Sequence, residues 1–281
     1  MKIAISVESA HDLTKELLLE KDIKVIPFKI TLNGETFDDG KYTTEEIFEI
    51  VDKCGQLPKT TALNAYEYTE YFEEIKKEYD AIIHVCLSSG LSSSCGNAIL
   101  ASKDVENVFV VDSKSLSTGI SLLALYAREL ADNGEEPQAI YEKVSKRVEK
   151  IQASFVVERL DYLYKGGRCS ALSLLGANVL KIRPRLVLKD GKIISDKKYK
   201  GQMGRVIEKY CQDVLTEFDK PHLDTVFITY TTATEEMLES ARKAVKNAGF
   251  KNIYETRAGG TVASHCGANT LGILYFNDGE N

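Results

Sequence analysis

Between Ser88 and Gly96 the chain places five serines and two glycines in nine residues, SSGLSSSCG. Ahead of them, Ala81–Leu87 is a short, mostly apolar run containing Ile82, Ile83 and Val85. It has the length of a buried strand and is too short for most helices. Behind them comes an alanine- and leucine-containing segment able to turn helical, reaching Ala101. A strand, a loop of small polar residues and a helix start bring hydroxyls and backbone N–H groups to one point. Four N–H groups at a helix N-terminus lack internal partners, and the dipole there favours negative charge. Such a place suits a phosphate or a carboxylate. A solvated Ser/Gly connection has the same composition, and the loop alone names no ligand.

Three other stretches carry residues of the right type. Leu57-Pro58-Lys59-Thr60-Thr61 is a polar connection after a helix end at Gly55, and Thr61 serves there as a ligand donor or as a helix cap. Lys165-Gly166-Gly167-Arg168 sets two glycines between two cations. This turn aims Arg168 at an anion or a partner, and it also reads as a helix C-cap with favourable terminal charges; the two readings are compatible. His265, in His265-Cys266-Gly267-Ala268-Asn269, is of a type that more often orders structure than catalyses, although its titration range suits either role. Cys54, Cys86, Cys95, Cys169, Cys211 and Cys266 are scattered, with no CxxC and no paired metal-ligand spacing. They read as reduced thiols, and no metal site is expected.

The elements that must position these residues alternate. Lys2–Val7 reads as a strand, Asp12–Leu19 as a helix, Lys24–Leu32 as β-rich before a hairpin turn at Asn33-Gly34, and Thr43 onward as a capped helix. Tyr66–Tyr79 has helical spacing, Val108–Val111 is a strand, and two amphipathic helices follow to Ile151. Strand–helix alternation implies a parallel sheet covered on both faces, with ligands outside the C-terminal ends of its strands, where the serine loop falls. Near Gln152 the pattern changes to a strand at Ser154–Val157, a hairpin around Lys189-Asp190-Gly191, and further helices and strands ending at Leu271–Phe276. The expected fold class is therefore α/β in two domains, 1–151 and 152–281, with the last strand (about 271–276) able to belong to either. The first domain carries the Thr61 and Ser92 loops, the second the KGGR turn and His265.

Composition excludes some classes. The 281 residues are 43% hydrophobic, and 36 basic against 42 acidic residues leave a net charge of −6. That is the wrong balance for a general nucleic-acid binder. The N-terminus, MKIAISVES, lacks the apolar region of a signal peptide, and no apolar run approaches the roughly 20 residues of a membrane span. A cytoplasmic location is expected.

Together the motifs resemble the DegV family of fatty-acid-binding proteins. The matching stretches are VESAHDL, KTTALN, SSGLSSSCGNA, VVDSKSLSTG, LDYLYKGGRCS with LLGANVLKIRPRL, and SHCGANTLGILYF. They span nearly the whole chain in order, and KGGR with its downstream I-R-P is the most specific. The resemblance implies a two-domain α/β fold with a parallel N-terminal sheet and a lipid tunnel between the domains. It implies a long-chain fatty acid as ligand and a separate ATP-dependent fatty acid kinase as partner. That kinase makes an acyl phosphate for phospholipid synthesis, with transient membrane contact. The protein would complete no reaction itself and need no cofactor, while helping to complete the kinase active site.

Residue by residue, the resemblance puts Thr61, Ser92 and His265 at the fatty-acid carboxylate, and Arg168 and Lys200 on the side presented to the kinase. The chain departs from the family pattern in several places. Its TTSQP-type loop reads Thr60-Thr61-Ala62-Leu63-Asn64, its LSGTY reads Leu91-Ser92-Ser93-Ser94-Cys95, its HxGPG reads His265-Cys266-Gly267-Ala268-Asn269, and a common arginine is Lys200. A second reading is a hydrolase or transferase using Cys95, Cys266 or a loop serine with His265. No G-x-S-x-G nucleophile elbow appears, however. A nucleotide-binding enzyme is a third, and it lacks G-x-x-x-x-G-K-[ST].

Overall fold

The computed structural model describes residues 1–168 and 182–279; Cys169 and the apolar segment Leu172–Leu180 lie outside them. The first half runs β1 (Ile3–Glu8), α1 (Lys15–Glu20), β2 (Ile23–Ile26), β3 (Lys29–Leu32), β4 (Glu35–Asp38), α2 (Thr44–Cys54), β5 (Lys59–Thr61), α3 (Ala65–Lys76), β6 (Ala81–Cys86), α4 (Ser94–Ala101), β7 (Val108–Asp112), α5 (Thr118–Asp132) and α6 (Pro137–Arg147). The second half runs β8 (Ile151–Val156), α7 (Asp161–Gly166), β9 (Ile182–Lys189), β10 (Lys192–Lys200), α8 (Met203–Glu217), β11 (Thr225–Tyr230), α9 (Glu235–Asn247), β12 (Asn252–Arg257), α10 (Gly260–Cys266) and β13 (Leu271–Phe276).

β2, β1, β6 and β7 form a parallel sheet in that order. β1 and β6 are buried along their whole length, as strands covered on both faces must be. Tyr68 and Phe72 of α3, with Ala98 and Ala101 of α4, cover one face. Ile120, Leu123 and Ala124 of α5, with Ile140 and Val144 of α6, cover the other. The same core takes in Ala153, Phe227, Leu274 and Phe276 from a second sheet, so α5 lies between the two. This explains why nine of its residues are buried rather than a single stripe.

The second sheet has six strands in the order β10-β9-β8-β13-β11-β12, with α8 and α9 on its outer face. The last strand does not return to the first domain: β13 lies antiparallel between β8 and β11. A third, small antiparallel sheet, β4-β3-β5, hangs from the hairpin at Asn33-Gly34, whose φ values of 50° and 80° suit the primed turn expected from that dipeptide. The polar stretch read as a connection is in fact β5, paired with β3. A three-residue strand of Lys-Thr-Thr has no apolar alternation to announce it.

Candidate functional site

The serine loop leaves the C-terminal end of β6, as the strand–helix alternation requires. The Leu91 and Ser92 amides return to the Ser88 carbonyl, at 2.9 and 3.1 Å, which folds the loop into a tight turn before α4. Ser88 Oγ donates to the Gly191 carbonyl at 2.7 Å, so the β9–β10 hairpin tip rests on this loop. The approach is close enough that a Cβ on Gly90 would stand 2.4 Å from the Gly191 oxygen. Ser92 Oγ accepts from the Ser94 amide at 3.2 Å and donates to Ser94 Oγ at 3.0 Å.

Across from it, the seven-residue helix α10 carries His265. Sequence periodicity gave no sign of this short helix, which is held by tertiary contacts. Asp39 accepts from the Gly260 and Thr261 amides at 2.9 and 3.1 Å, and Asp12 accepts from the Gly259 amide at 2.7 Å. Two carboxylates from the first half thus cap a helix of the second. His265 Nε2 lies 2.8 Å from Thr60 Oγ1 on β5. Its Nδ1 is buried, has no hydrogen-bond partner among the described residues, and faces Gly166, where a Cβ would come within 2.6 Å. The KGGR turn therefore has a concrete geometry. Gly167 ends α7 in the left-handed region at φ 68°, its amide bonded to the Leu163 carbonyl at 3.1 Å. Gly166 makes room for the imidazole, and exposed Arg168 folds back to donate to the Gly166 carbonyl at 2.7 Å. The helix C-cap and the aimed guanidinium coexist.

These parts line one cavity, of the concave and mostly apolar kind usual for small-molecule sites. Thr60, Thr61, Ser92, Arg168 and His265 line it; Phe28, Leu87, Leu116, Leu163, Ile193 and Val262 supply apolar wall. A second, smaller space shares Leu116, Val262 and Cys266 with it and is lined further by Phe155, Leu188 and Leu274. Of the residues singled out from sequence, Thr61, Ser92, Arg168 and His265 are brought together. Lys200 is not: it ends β10, at the far end of that strand from the cavity-lining Ile193. Thr61 also does not cap α3, because Asn64 does, in a reciprocal pair with Glu67. Thr60 stands in the polar stretch but carries no assigned role in the sequence, Thr261 and Val262 are hidden with α10, and Cys266 enters from the sequence only as a candidate nucleophile. The I-R-P segment serves structure: Arg183 pairs with Glu158, and fully buried Arg185 pairs with Asp196 and Glu217.

Burial, and secondarily the Arg168 charge, pushes His265 down to about 4, so its imidazole is neutral near pH 7. What it offers the cavity is a neutral hydrogen-bonding group, not a cation. Burial holds the Cys266 thiol up at about 12, far from a thiolate. Cys95 is fully buried and is not among the cavity-lining residues. Among the described residues His265 is hydrogen-bonded to Thr60 and to no serine or cysteine, so no nucleophile–base pair is assembled there. Glu8, His84 and Cys86 bring three ligand-type atoms within 4.8 Å of one another under the sheet. Both Glu8 oxygens are already engaged, by the Tyr68 hydroxyl at 2.6 Å and the Leu87 amide at 2.7 Å. We read the cluster as an internal network.

The histidines carry a pH consequence. His11 and His265 both sit near 4 in the fold, below the usual 6.5, through burial. Below pH 6.5 the unfolded chain takes up these protons first, so the stability tied to both neutral imidazoles is complete above 6.5 and is lost toward pH 4. Asp12 works the other way: burial raises it to about 7, so its contribution is lost as pH rises toward 7. A His265→Asn variant should therefore show a shallower fall in thermal midpoint than wild type between pH 6.5 and 4. Parallel profiles in scanning calorimetry would show that His265 is not a buried neutral group.

Two layered α/β units meeting at a mostly apolar cavity with hydroxyls in its wall define a small-molecule-binding class of protein. Comparison with known proteins places it further. The sequence matches the DegV family, described as uncharacterised, over residues 2–278, and the chain belongs to that family. A "Fatty acid-binding protein" of Thermotoga maritima is 30% identical over 285 residues, covering 97% of each chain. The crystal structure of DegV from Bacillus subtilis, described as a fatty acid binding protein, is 26% identical with a TM-score of 0.86, covering 98% of this chain and 99% of that one. A Thermus thermophilus DegV protein shares the fold at a TM-score of 0.90, with 24% identity and coverage of 98% and 99%. Among the described residues no helix is long and apolar enough to cross a membrane.

Proposed function

We propose that this protein binds one long-chain fatty acid, with the carboxylate at Thr61, Ser92 and the Thr60–His265 pair and the tail along the apolar wall. The observation that carries this reading is the cavity itself, whose wall is mostly apolar and also includes the hydroxyls of Thr60, Thr61 and Ser92, the His265 imidazole and Arg168. A buried carboxylate is costly unless several donors meet it, and this wall has them. Each tail methylene buried contributes about 0.8 kcal/mol, so a long chain anchors firmly without a charged clamp. The names of the Thermotoga maritima and Bacillus subtilis relatives support the same ligand class.

The protein then presents the head group to a separate ATP-dependent kinase, which forms the acyl phosphate used in phospholipid synthesis; it performs no complete reaction itself. Arg168, exposed at the cavity, and the remoter Lys200 are the cations offered to that partner. Native mass spectrometry of the purified protein tests the binding step. About one acyl chain of fourteen to eighteen carbons per protein is expected. A protein that stays empty and ignores added acids would remove the reading.

A further inference from the structure

Resting on that reading, we propose that Ser94 is a positioning residue for the acid head group. It holds the Thr61 strand and the Ser92 loop in one fixed relation without itself touching the ligand. Ser94 is fully buried and does not line the cavity, whereas Thr61 and Ser92 both do. Its Oγ is the point at which the two loops meet. It accepts from the Leu63 amide at 3.2 Å and from the Ser92 hydroxyl at 3.0 Å. From the same turn of α4, Asn97 donates to the Leu63 carbonyl at 2.7 Å. The residue just beyond Thr61-Ala62 is thus held at both its amide and its carbonyl by α4.

A hydroxyl has one proton to give and two lone pairs with which to accept. Nearby on α3, Tyr68 donates its proton to Glu8 Oε1 at 2.6 Å. Glu8 is fully buried, and its other oxygen accepts from the amide of Leu87, where the serine loop begins. Toward the two loops Ser94 Oγ acts as an acceptor. Both Ser94 lone pairs are turned to Leu63 and Ser92. Buried chains of this kind polarise one another and resist rearrangement. With Ser94 removed, the Leu63 amide loses its acceptor and Ser92 its anchor, and the Thr61 strand and the Ser92 loop are no longer held in one relation.

The test compares wild type, Ser94→Ala, Ser94→Thr and Ser94→Val, titrated with palmitate and with methyl palmitate. The ester shares the tail but has no charged head group. Ser94→Ala should weaken palmitate about tenfold, in line with the worth of hydrogen bonds to a charged group, and leave the ester within about twofold. Ser94→Thr keeps a hydroxyl in place and should restore palmitate binding; its near-isostere Ser94→Val should not. The threonine–valine comparison holds side-chain shape constant even if the alanine variant folds poorly. Equal losses for acid and ester, an inactive threonine variant, or unchanged palmitate affinity in both alanine and valine variants would overturn the proposal. Wild-type protein that binds palmitate while Ser94→Ala is unaffected overturns this inference alone. Wild-type protein that binds neither ligand overturns the fatty-acid reading with it.

Discussion

A Val262→Phe variant should bind decanoate nearly as well as wild type and stearate far more weakly. Val262 lies on α10, half-buried, and it is one of three residues, with Leu116 and Cys266, that line both the first cavity and the smaller space beside it. A tail that starts from Thr61 and Ser92 and exceeds the first cavity has this junction as its way onward. A phenyl ring placed there closes it. Each methylene kept out of apolar surroundings forfeits about 0.8 kcal/mol. Excluding four would forfeit roughly 3 kcal/mol, a loss of about 100-fold in affinity. A ten-carbon acid, which ends short of the junction, is spared. Overpacking costs stability of about 1–3 kcal/mol at most sites, so thermal midpoints should be measured beside affinity. If both acids lose equally, or stearate loses nothing, the tail does not pass between Leu116 and Val262.

Arg168→Ala should separate the two tasks of a carrier. The guanidinium is exposed, is tethered to the Gly166 carbonyl, and lies close enough to His265 to lower its proton affinity. Attraction between an exposed cation and a carboxylate is screened and weak, so fatty-acid affinity should fall only a few-fold. Transfer is different, because a planar fork of donors at the opening suits a phosphate or an acidic partner surface. Acyl-phosphate formation with a cognate kinase should drop by tenfold or more, on the usual scale of lost charge-assisted hydrogen bonds. The informative measurement pairs equilibrium binding with kinase-coupled turnover on the same variant. Collapse of both would make Arg168 part of the binding site. No change in either would leave the KGGR turn as a helix stop.

The chain's own chemistry determined the alternation of elements and much of their placement. A continuous apolar run such as Ala81–Leu87 has nowhere to go but a strand buried on both faces, and Asn33-Gly34 suits little except a primed hairpin turn. Thr61, Ser92, Arg168 and His265 were legible as candidates from their residue types in polar or glycine-rich stretches, and their roles came from the family resemblance. Three things were decided only by tertiary structure. β5 exists because β3 accepts it as a partner, since three residues of Lys-Thr-Thr have no period of their own. α10 exists because Asp12 and Asp39, far away in sequence, satisfy its first amides. β13 joins the second sheet because β8 and β11 leave an antiparallel slot between them. The convergence of Thr60 with His265, and of Leu63 with Ser94, depends on those placements. Such contacts join residues whose separation along the chain carries no periodic trace, so residue order shows which groups are available and only the packed fold shows which of them meet.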